Sequence, residues 1–270
     1  MYFSSILVIL AVSSTAIAGP LVAKRDTLEV SHSRMGPSFW VQGTMALTFD
    51  GKGFDCVTEK LDVERQQDGP YIYEQQVSDV LEGSKGTFFF NGNNYVCIYD
   101  RVDEIRSLFA AGHTIGSHTW DHPDLTKLSE SDIHSELSKL EEAFIRILGL
   151  KPLYFRPPYG SINDNVLNVL RARGYKKVIL WSDDTGDSLG QPPSYSEELL
   201  ETVAGDYPNP HLVLAHSTIS TTPSEVIPQS VPKLKGAGYQ LMTVNDCIGD
   251  SDYPYEIVGQ PGIKDQTWTC

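Results

Sequence analysis

Residues 113–155 read HTIGSHTWDHPDLTKLSESDIHSELSKLEEAFIRILGLKPLYF. His113–Ser117 is a short β-forming run. Further on, Ile133, Leu137, Leu140, Phe144 and Leu148 recur at three- and four-residue intervals and make one apolar stripe of a helix. Ser129 with Asp132 resembles a capping box at its start, and Gly149 is the residue type that ends a helix. Leu153–Phe155 returns to a short apolar strand. A strand, a helix and a strand in this order form a β-α-β unit with parallel strands and a right-handed crossover.

The alternation extends both ways. Strand candidates are Met45–Phe49, Thr87–Phe90, His113–Ser117, Leu153–Phe155, Val178–Trp181, His211–Ala215 and Tyr239–Thr243; helical stretches lie near 73–82, 100–111, 129–148, 163–173, 195–204 and 224–237. Asn163 is placed to cap the fourth helix, whose stripe is Val166, Leu167, Val169 and Leu170 and which Gly174 stops. Strict alternation predicts an α/β fold with a parallel sheet. Seven units point to a barrel, closed or nearly so, with an open doubly wound sheet as the alternative. No linker or internal repeat divides the chain, so a single domain is expected.

The chain has 270 residues, 35 Asp and Glu against 21 Lys and Arg, a formal net charge of −14 and 40% hydrophobic residues. That apolar fraction supports one large core and excludes a disordered chain. The charge disfavours electrostatic capture of nucleic acid or of an anionic membrane surface, and suits a neutral or cationic partner. Residues 1–18 contain an apolar run, Ile6–Val12, too short to span a bilayer, and Ala16-Ile17-Ala18 fits small-x-small cleavage. This reads as the signal peptide of a secreted protein, extracellular or in the cell wall; a buried N-terminal helix is the alternative. Lys24-Arg25 is either a dibasic processing point or a solvated charge pair. Cys56, Cys97, Cys247 and Cys270 then point to disulfides rather than metal thiolates, with no Cys-x-x-Cys and no pairing fixed by the sequence. No Asn-x-Ser/Thr sequon is present.

In a β/α barrel the active site lies at the C-terminal ends of the strands. Those positions hold Asp50, Asn91, His118 with His122, Arg156 with Tyr159, then Asp183, Asp184 and Asp187, and His216. Each alone is ordinary after a strand. Together, three imidazoles and several carboxylates on one rim point to metal-assisted acid–base chemistry. His118 and His122, four apart, can reach one cation from one side. His113, His134 and His211 read as structural or surface residues. Tyr71, Tyr73 and Tyr95 suit either stacking on sugar rings or packing.

The set Leu47–Asp50 (LTFD), Ser117–Pro123 (SHTWDHP), Arg156–Gly160 (RPPYG), Trp181–Asp187 (WSDDTGD) and Leu212–His216 (LVLAH) resembles the polysaccharide deacetylases with a NodB-like domain, carbohydrate esterase family four, in its secreted fungal chitin deacetylase branch. The resemblance covers roughly residues 40–250. It implies a distorted (β/α)7 barrel, a divalent metal (Zn²⁺, with Co²⁺ as the other candidate), and removal of N-acetyl groups from N-acetylglucosamine polymers. The partner it implies is chitin, a chitooligosaccharide or a related acetylated polysaccharide, met by a monomer without nucleic acid or membrane. By the same resemblance Asp50 is the general base, and His118 and His122 are metal ligands. Arg156 orients the base, and the Tyr159 backbone N–H helps bind the oxyanion. Asp187 tunes the acid, His216 is the general acid, and Trp181 and Leu214 border the substrate. Ser188 stands where the family carries Trp, which leaves that wall of the cleft open. Cys97 and Cys247 lie in segments similar to the family's and are expected to pair.

The first motif is interrupted. The family reads Thr-Phe-Asp-Asp-Gly-Pro; here Thr48-Phe49-Asp50 is followed by residues 51–67 and only then by Asp68-Gly69-Pro70. Removing 51–67 restores the motif and makes Asp68 the third metal ligand. Closing such a loop costs only a few kcal/mol, but small displacements of catalytic groups can cost about 10²-fold in rate. We read 51–67 as a retained intron: Gly51-Lys52 can be encoded GGTAAG, containing a GTAAG donor, and Gln67-Asp68 can be encoded CAAGAT, supplying an AG acceptor. The rival reading is a surface loop tethered by Cys56; in the intron reading Cys56 is not a native cysteine. The chain then divides into a signal peptide (1–18), a short extension (19–40), the deacetylase domain (41–250) and a C-terminal tail (251–270).

Three functions follow: a metal-dependent N-deacetylase, an O-acetyl esterase on acetylated xylan, or a non-catalytic carbohydrate-binding protein if the insertion is genuine. Sequencing of cDNA across the junction should find the Asp50 codon joined to the Asp68 codon; a majority of transcripts retaining the intervening stretch would overturn the intron.

Overall fold

Met45, Leu47 and Phe49 alternate with Thr44, Ala46, Thr48 and Asp50, and this period of two gives the strand two distinct faces. The computed structural model describes residues 29–31, 41–50 and 72–270. The expected signal peptide, Lys24-Arg25, Cys56, the 51–67 insertion, Asp68 and Tyr71 lie outside the described residues.

The strands are β1 (Glu29–Ser31), β2 (Thr44–Asp50), β3 (Thr87–Phe90), β4 (Thr114–Ser117), β5 (Leu150–Pro152), β6 (Tyr154–Phe155), β7 (Lys177–Ile179), β8 (Asp183–Asp184), β9 (His211–His216), β10 (Gln240–Leu241) and β11 (Tyr255–Ile257). The helices are α1 (Glu74–Val80), α2 (Val102–Ala110), α3 (Glu130–Leu148), α4 (Asp164–Ala172), α5 (Pro193–Gly205), α6 (Ile227–Ala237) and α7 (Val244–Cys247). Ladder order is β1-β7-β6-β4-β3-β2-β9-β8, all parallel, with β10 against the start of β2. This is the distorted β/α barrel expected. β7 pairs β6 while β8, four residues on in the same run of chain, pairs β9. The ring is therefore joined at this seam by the backbone rather than by a ladder. The expected seventh strand shrinks to β10, because α7 begins at Val244 and takes over the chain.

Strand faces sort the core. Met45, Leu47, Phe49, Phe88, Phe90, Val213 and Ala215 pack outward with the helices. Ala46, Phe89, Tyr154, Ile179 and Leu212 pack together on the other face, with Val244 and Cys247 of α7 among them. Period two thus sends Thr48, Asp50, Leu214 and His216 inward as well. Helix α3 keeps its predicted ends: Ser129 Oγ accepts from the Asp132 N–H at 3.3 Å, and Gly149 takes φ 73°. Asn163 Oδ1 caps α4 by accepting from the Val166 N–H at 3.0 Å.

The C-terminal segment is not a tail. Tyr255–Ile257 pairs antiparallel with β5, and the N–H groups of Val258 and Gly259 both donate to the Gly149 carbonyl. A Cβ on Gly149 would lie 2.4 Å from the Gly259 carbonyl oxygen, so glycine is required there for space as well as for φ. Trp268 is buried, its ring 5.4 Å from that of Tyr99. This strap delivers Cys270 to Cys97, and these two form the disulfide. The expected Cys97–Cys247 pairing is therefore corrected. Cys247 is buried among the inward residues of the strands, 3.6 Å from Thr44 Oγ1 at the start of β2, whereas Cys97 lies in the loop beyond the opposite end of β3. Replacing both Cys97 and Cys270 by Ala should lower the free energy of unfolding by about 3–5 kcal/mol in a denaturant titration, through release of a 173-residue loop in the unfolded chain.

Candidate active site

Cross-strand register brings the strand-end residues to one level. Asp50 is the ladder partner of His216 on β9 and of Phe89 on β3, Phe90 of Ser117, and Ser117 of Phe155. Asn91, His118 and Arg156 each follow directly on one of these positions.

Arg156 is fully buried. Its Nη1 donates to Asp50 Oδ1 at 2.9 Å and to Thr48 Oγ1 at 2.8 Å, Nε to the Ile179 carbonyl at 3.2 Å, and Nη2 to the Leu180 carbonyl at 3.3 Å. The last two carbonyls lie at the β7–β8 seam, so the guanidinium supplies hydrogen bonds where the ladder is interrupted. The Phe89 ring lies 4.4 Å from its Cζ and the Trp181 ring 5.6 Å. Burial lowers the guanidinium pKa from its ordinary value, and the Asp50 charge works against that.

The backbone carbonyl of Arg156 accepts from His118 Nδ1 at 2.7 Å. A carbonyl can only accept, so Nδ1 carries the proton and Nε2 the lone pair, the tautomer a metal requires. Nε2 lies 3.8 Å from Asp50 Oδ2. The His118 and His122 rings meet edge-on with centroids 4.9 Å apart, and His122 Nδ1 is 3.2 Å from Tyr159 Oη. Two imidazoles beside a carboxylate suit a borderline divalent cation. Among the described residues no group of three or more His, Cys, Asp or Glu could hold a metal ion; the expected third ligand, Asp68, is outside them.

Thr119, His122 and Tyr159 adopt φ of 70°, 61° and 60°, a region side-chain-bearing residues rarely occupy. Such strain persists only where neighbours enforce it. Asn91 Nδ2 donates to the His118 and Thr119 carbonyls, and Thr119 Oγ1 accepts from the His122 N–H at 3.1 Å. Glu136 Oε2 accepts from the Trp120 and Asp121 N–H groups at 3.0 and 2.9 Å. A Cβ on Gly92 would fall 1.9 Å from the Trp120 ring, so only glycine lets that loop close over the tryptophan.

On the other side, His216 Nδ1 lies 2.6 Å from Asp187 Oδ1. Asp187 Oδ2 accepts from the His216 N–H at 2.7 Å and from Thr222 Oγ1 at 2.9 Å, and Oδ1 from the Ser188 N–H at 2.8 Å. Burial pushes the Asp187 carboxyl up, but the His216 charge and these donors outweigh it and hold it below the ordinary carboxylate range. The Leu214 carbonyl accepts from Thr185 Oγ1 at 2.9 Å, and Trp181 is half-buried.

Other candidates stay apart. Asp183 lies three ladder positions below His216 and binds His211 Nδ1 at 2.8 Å, while Asp184 Oδ1 accepts from the Gly186 N–H. Burial alone would lower the His211 pKa, but its bonds to Asp183 and Asp206 raise it. His113 accepts at Nδ1 from the Gly86 N–H and meets Ser78 at Nε2, and burial lowers it to about 4. His134 meets Arg173, Tyr73 is half-buried, and Tyr95 is exposed. Sequence reasoning missed Thr48, Thr222 and Glu136. Glu136 carried a signal: a charge three residues after Ile133, on the apolar stripe of α3.

A polysaccharide deacetylase family model matches residues 42–178. A chitin deacetylase of Pestalotiopsis sp is 32% identical over 241 residues, 88% of this chain and 74% of that protein. One of Colletotrichum lindemuthianum is 34% identical over 208 residues, 73% of this chain and 82% of that protein. The solved structure of the chitin deacetylase from Colletotrichum lindemuthianum superposes with a TM-score of 0.69 at 33% identity, over 80% of this chain and 92% of that one.

Glu136→Ala should weaken divalent-cation binding about 10–100-fold in a calorimetric titration, because the loop between the two histidines loses its anchor.

Proposed function

The chain belongs to the polysaccharide deacetylase family, and on that premise we propose that it is a hydrolase that removes acetyl groups from N-acetylglucosamine polymers, chitin or chitooligosaccharides. The reading rests on one observation above all. Asp50, held by Arg156, and His216, held by Asp187, are direct partners across the β2–β9 ladder. Amide hydrolysis needs a base on one side of the carbonyl and an acid on the other, and one carboxylate cannot serve both ends.

His118, His122 and Asp68 would hold the divalent cation, Zn²⁺ for choice, and when bound it polarises the acetyl carbonyl and acidifies the attacking water. Asp50, its Oδ1 occupied by Arg156, takes the proton from that water as oxygen bonds to the acetyl carbon. The Tyr159 backbone N–H is assigned to the developing oxyanion. His216, fixed at Nδ1 by Asp187, delivers a proton to the sugar nitrogen as the C–N bond breaks. The products are acetate and a free amine. Trp181 and Leu214 border the acetyl group in this assignment.

We assign the domain to residues 41–270, the C-terminal strap included, and regard 51–67 as absent from the working enzyme. Secretion is supported by the N-terminal apolar run and the disulfide; no helix among the described residues is long and apolar enough to cross a membrane.

Acetate release from chitin oligomers should be strong in a form lacking residues 51–67, weak or absent in the full chain, abolished by chelation, and lowered about 10²–10⁴-fold in kcat by His216→Asn. Release from acetylated xylan alone would favour an O-esterase instead. Binding of chitin oligomers without acetate from either form would mark a carbohydrate-binding protein.

A further inference from the structure

Glu74, the first residue of α1, is fully buried. Its Oε1 accepts from Ser217 Oγ at 2.8 Å, and Ser217, itself fully buried, directly follows His216. Among the described residues its Oε2 is buried with no hydrogen-bond partner. An ionised carboxylate seeks several donors, and the Ser217 hydroxyl with the residue's own N–H does not satisfy it in a buried site. A buried Glu–Ser pair replaced by apolar groups of the same shape would lose little stability, so packing alone gives no reason for an acid here.

We propose that Glu74 is a positioning residue for His216, clamping the turn after β9 to the start of α1 through Ser217. The inference rests on the deacetylase reading of His216. His216 is fixed from two directions: Asp187 holds its ring and backbone N–H, and Glu74 holds the residue after it. The clamp works uncharged. Burial pushes the Glu74 carboxyl up from 4.5 to about 8, against the smaller pull of its bond to Ser217, its own backbone N–H and the Arg101 charge.

Other charges around α1 are engaged or turned to solvent. Arg101 pairs with Glu104, Lys235 with Glu82 and Lys233 with Glu201; Asp79, Asp103 and Glu225 are exposed, Arg106 donates to the Ile147 carbonyl, and His113 meets Ser78. The unfolded chain ionises near pH 4.5 and the folded one near 8, so the folded state loses relative stability as pH rises between these values, and the loss levels off above 8.

The test compares Glu74→Gln, Glu74→Leu and Ser217→Ala with their parent, all in the form lacking residues 51–67. Glu74→Gln keeps an acceptor for Ser217 and cannot ionise. Its Tm relative to the parent should climb by about 10 °C or more between pH 4.5 and pH 8, and its kcat should persist above pH 8, where the parent's declines. Glu74→Leu and Ser217→Ala should lower kcat about 10-fold or more with KM little changed, and should displace the His216 imidazole NMR resonance, which Glu74→Gln leaves in place. An unmoved resonance in Glu74→Leu and Ser217→Ala, or a Tm difference for Glu74→Gln that is flat with pH, would overturn the proposal. A resonance displaced in Glu74→Leu and Ser217→Ala, in a form lacking residues 51–67 that nevertheless releases no acetate, would support the clamp and sink the deacetylase reading.

Discussion

The guanidinium of Arg156 is the interaction on which the rest of this structure leans. It joins Thr48 and Asp50 of β2 to the paired β6 and β7, with which β2 shares no ladder: it projects from the end of β6 and donates to the Ile179 and Leu180 carbonyls at the seam. Its own carbonyl fixes the His118 tautomer. One residue thereby orients the proposed base, prepares the proposed ligand and satisfies backbone groups that the broken sheet leaves over. Taking such a charge out of water is costly, and removing one member of a buried pair typically destabilises by about 3–5 kcal/mol. The aromatic walls of Phe89 and Trp181 and four acceptors make burial tolerable here.

Around it the site is built before any substrate arrives. Two side-chain-bearing residues in left-handed conformations, Thr119 and His122, lie in a loop held by Asn91, Glu136 and the close passage of Gly92 under Trp120, and a third, Tyr159, meets His122. These supports come from β3, the loop after it, and α3, and none of them reacts in the proposed mechanism. That division of labour suits a site in which displacements near an ångström cost rate steeply.

Much of this was legible in the sequence because it is periodic or local. The stripe of α3, its Ser129 and Gly149 ends and the Asn163 cap depend on neighbours three or four residues away, and the rim positions follow from where each apolar run stops. What stayed hidden depends on distant segments. Cys97 and Cys247 both lie in segments similar to the family's, and only the path of the strap shows that one belongs above the strands and the other below them. Residues 251–270 read as a tail because their three-residue strand has no periodicity to detect. Glu136 and Glu74 did leave a trace, each an acid on the apolar face of its helix, spaced with Leu137 and Leu140 or with Val77 and Leu81. The seam between β7 and β8 left none, since it reflects barrel geometry.

The Cys97–Cys270 bond spans His118, His122, Arg156, Asp187 and His216 within a single covalent ring. A protease that severs one peptide bond anywhere inside that ring produces two ends but no separate fragments. The nicked molecule keeps both halves of its barrel at molecular distance, so religation of shape needs no encounter in solution. Surface-loop cleavage then becomes a survivable injury.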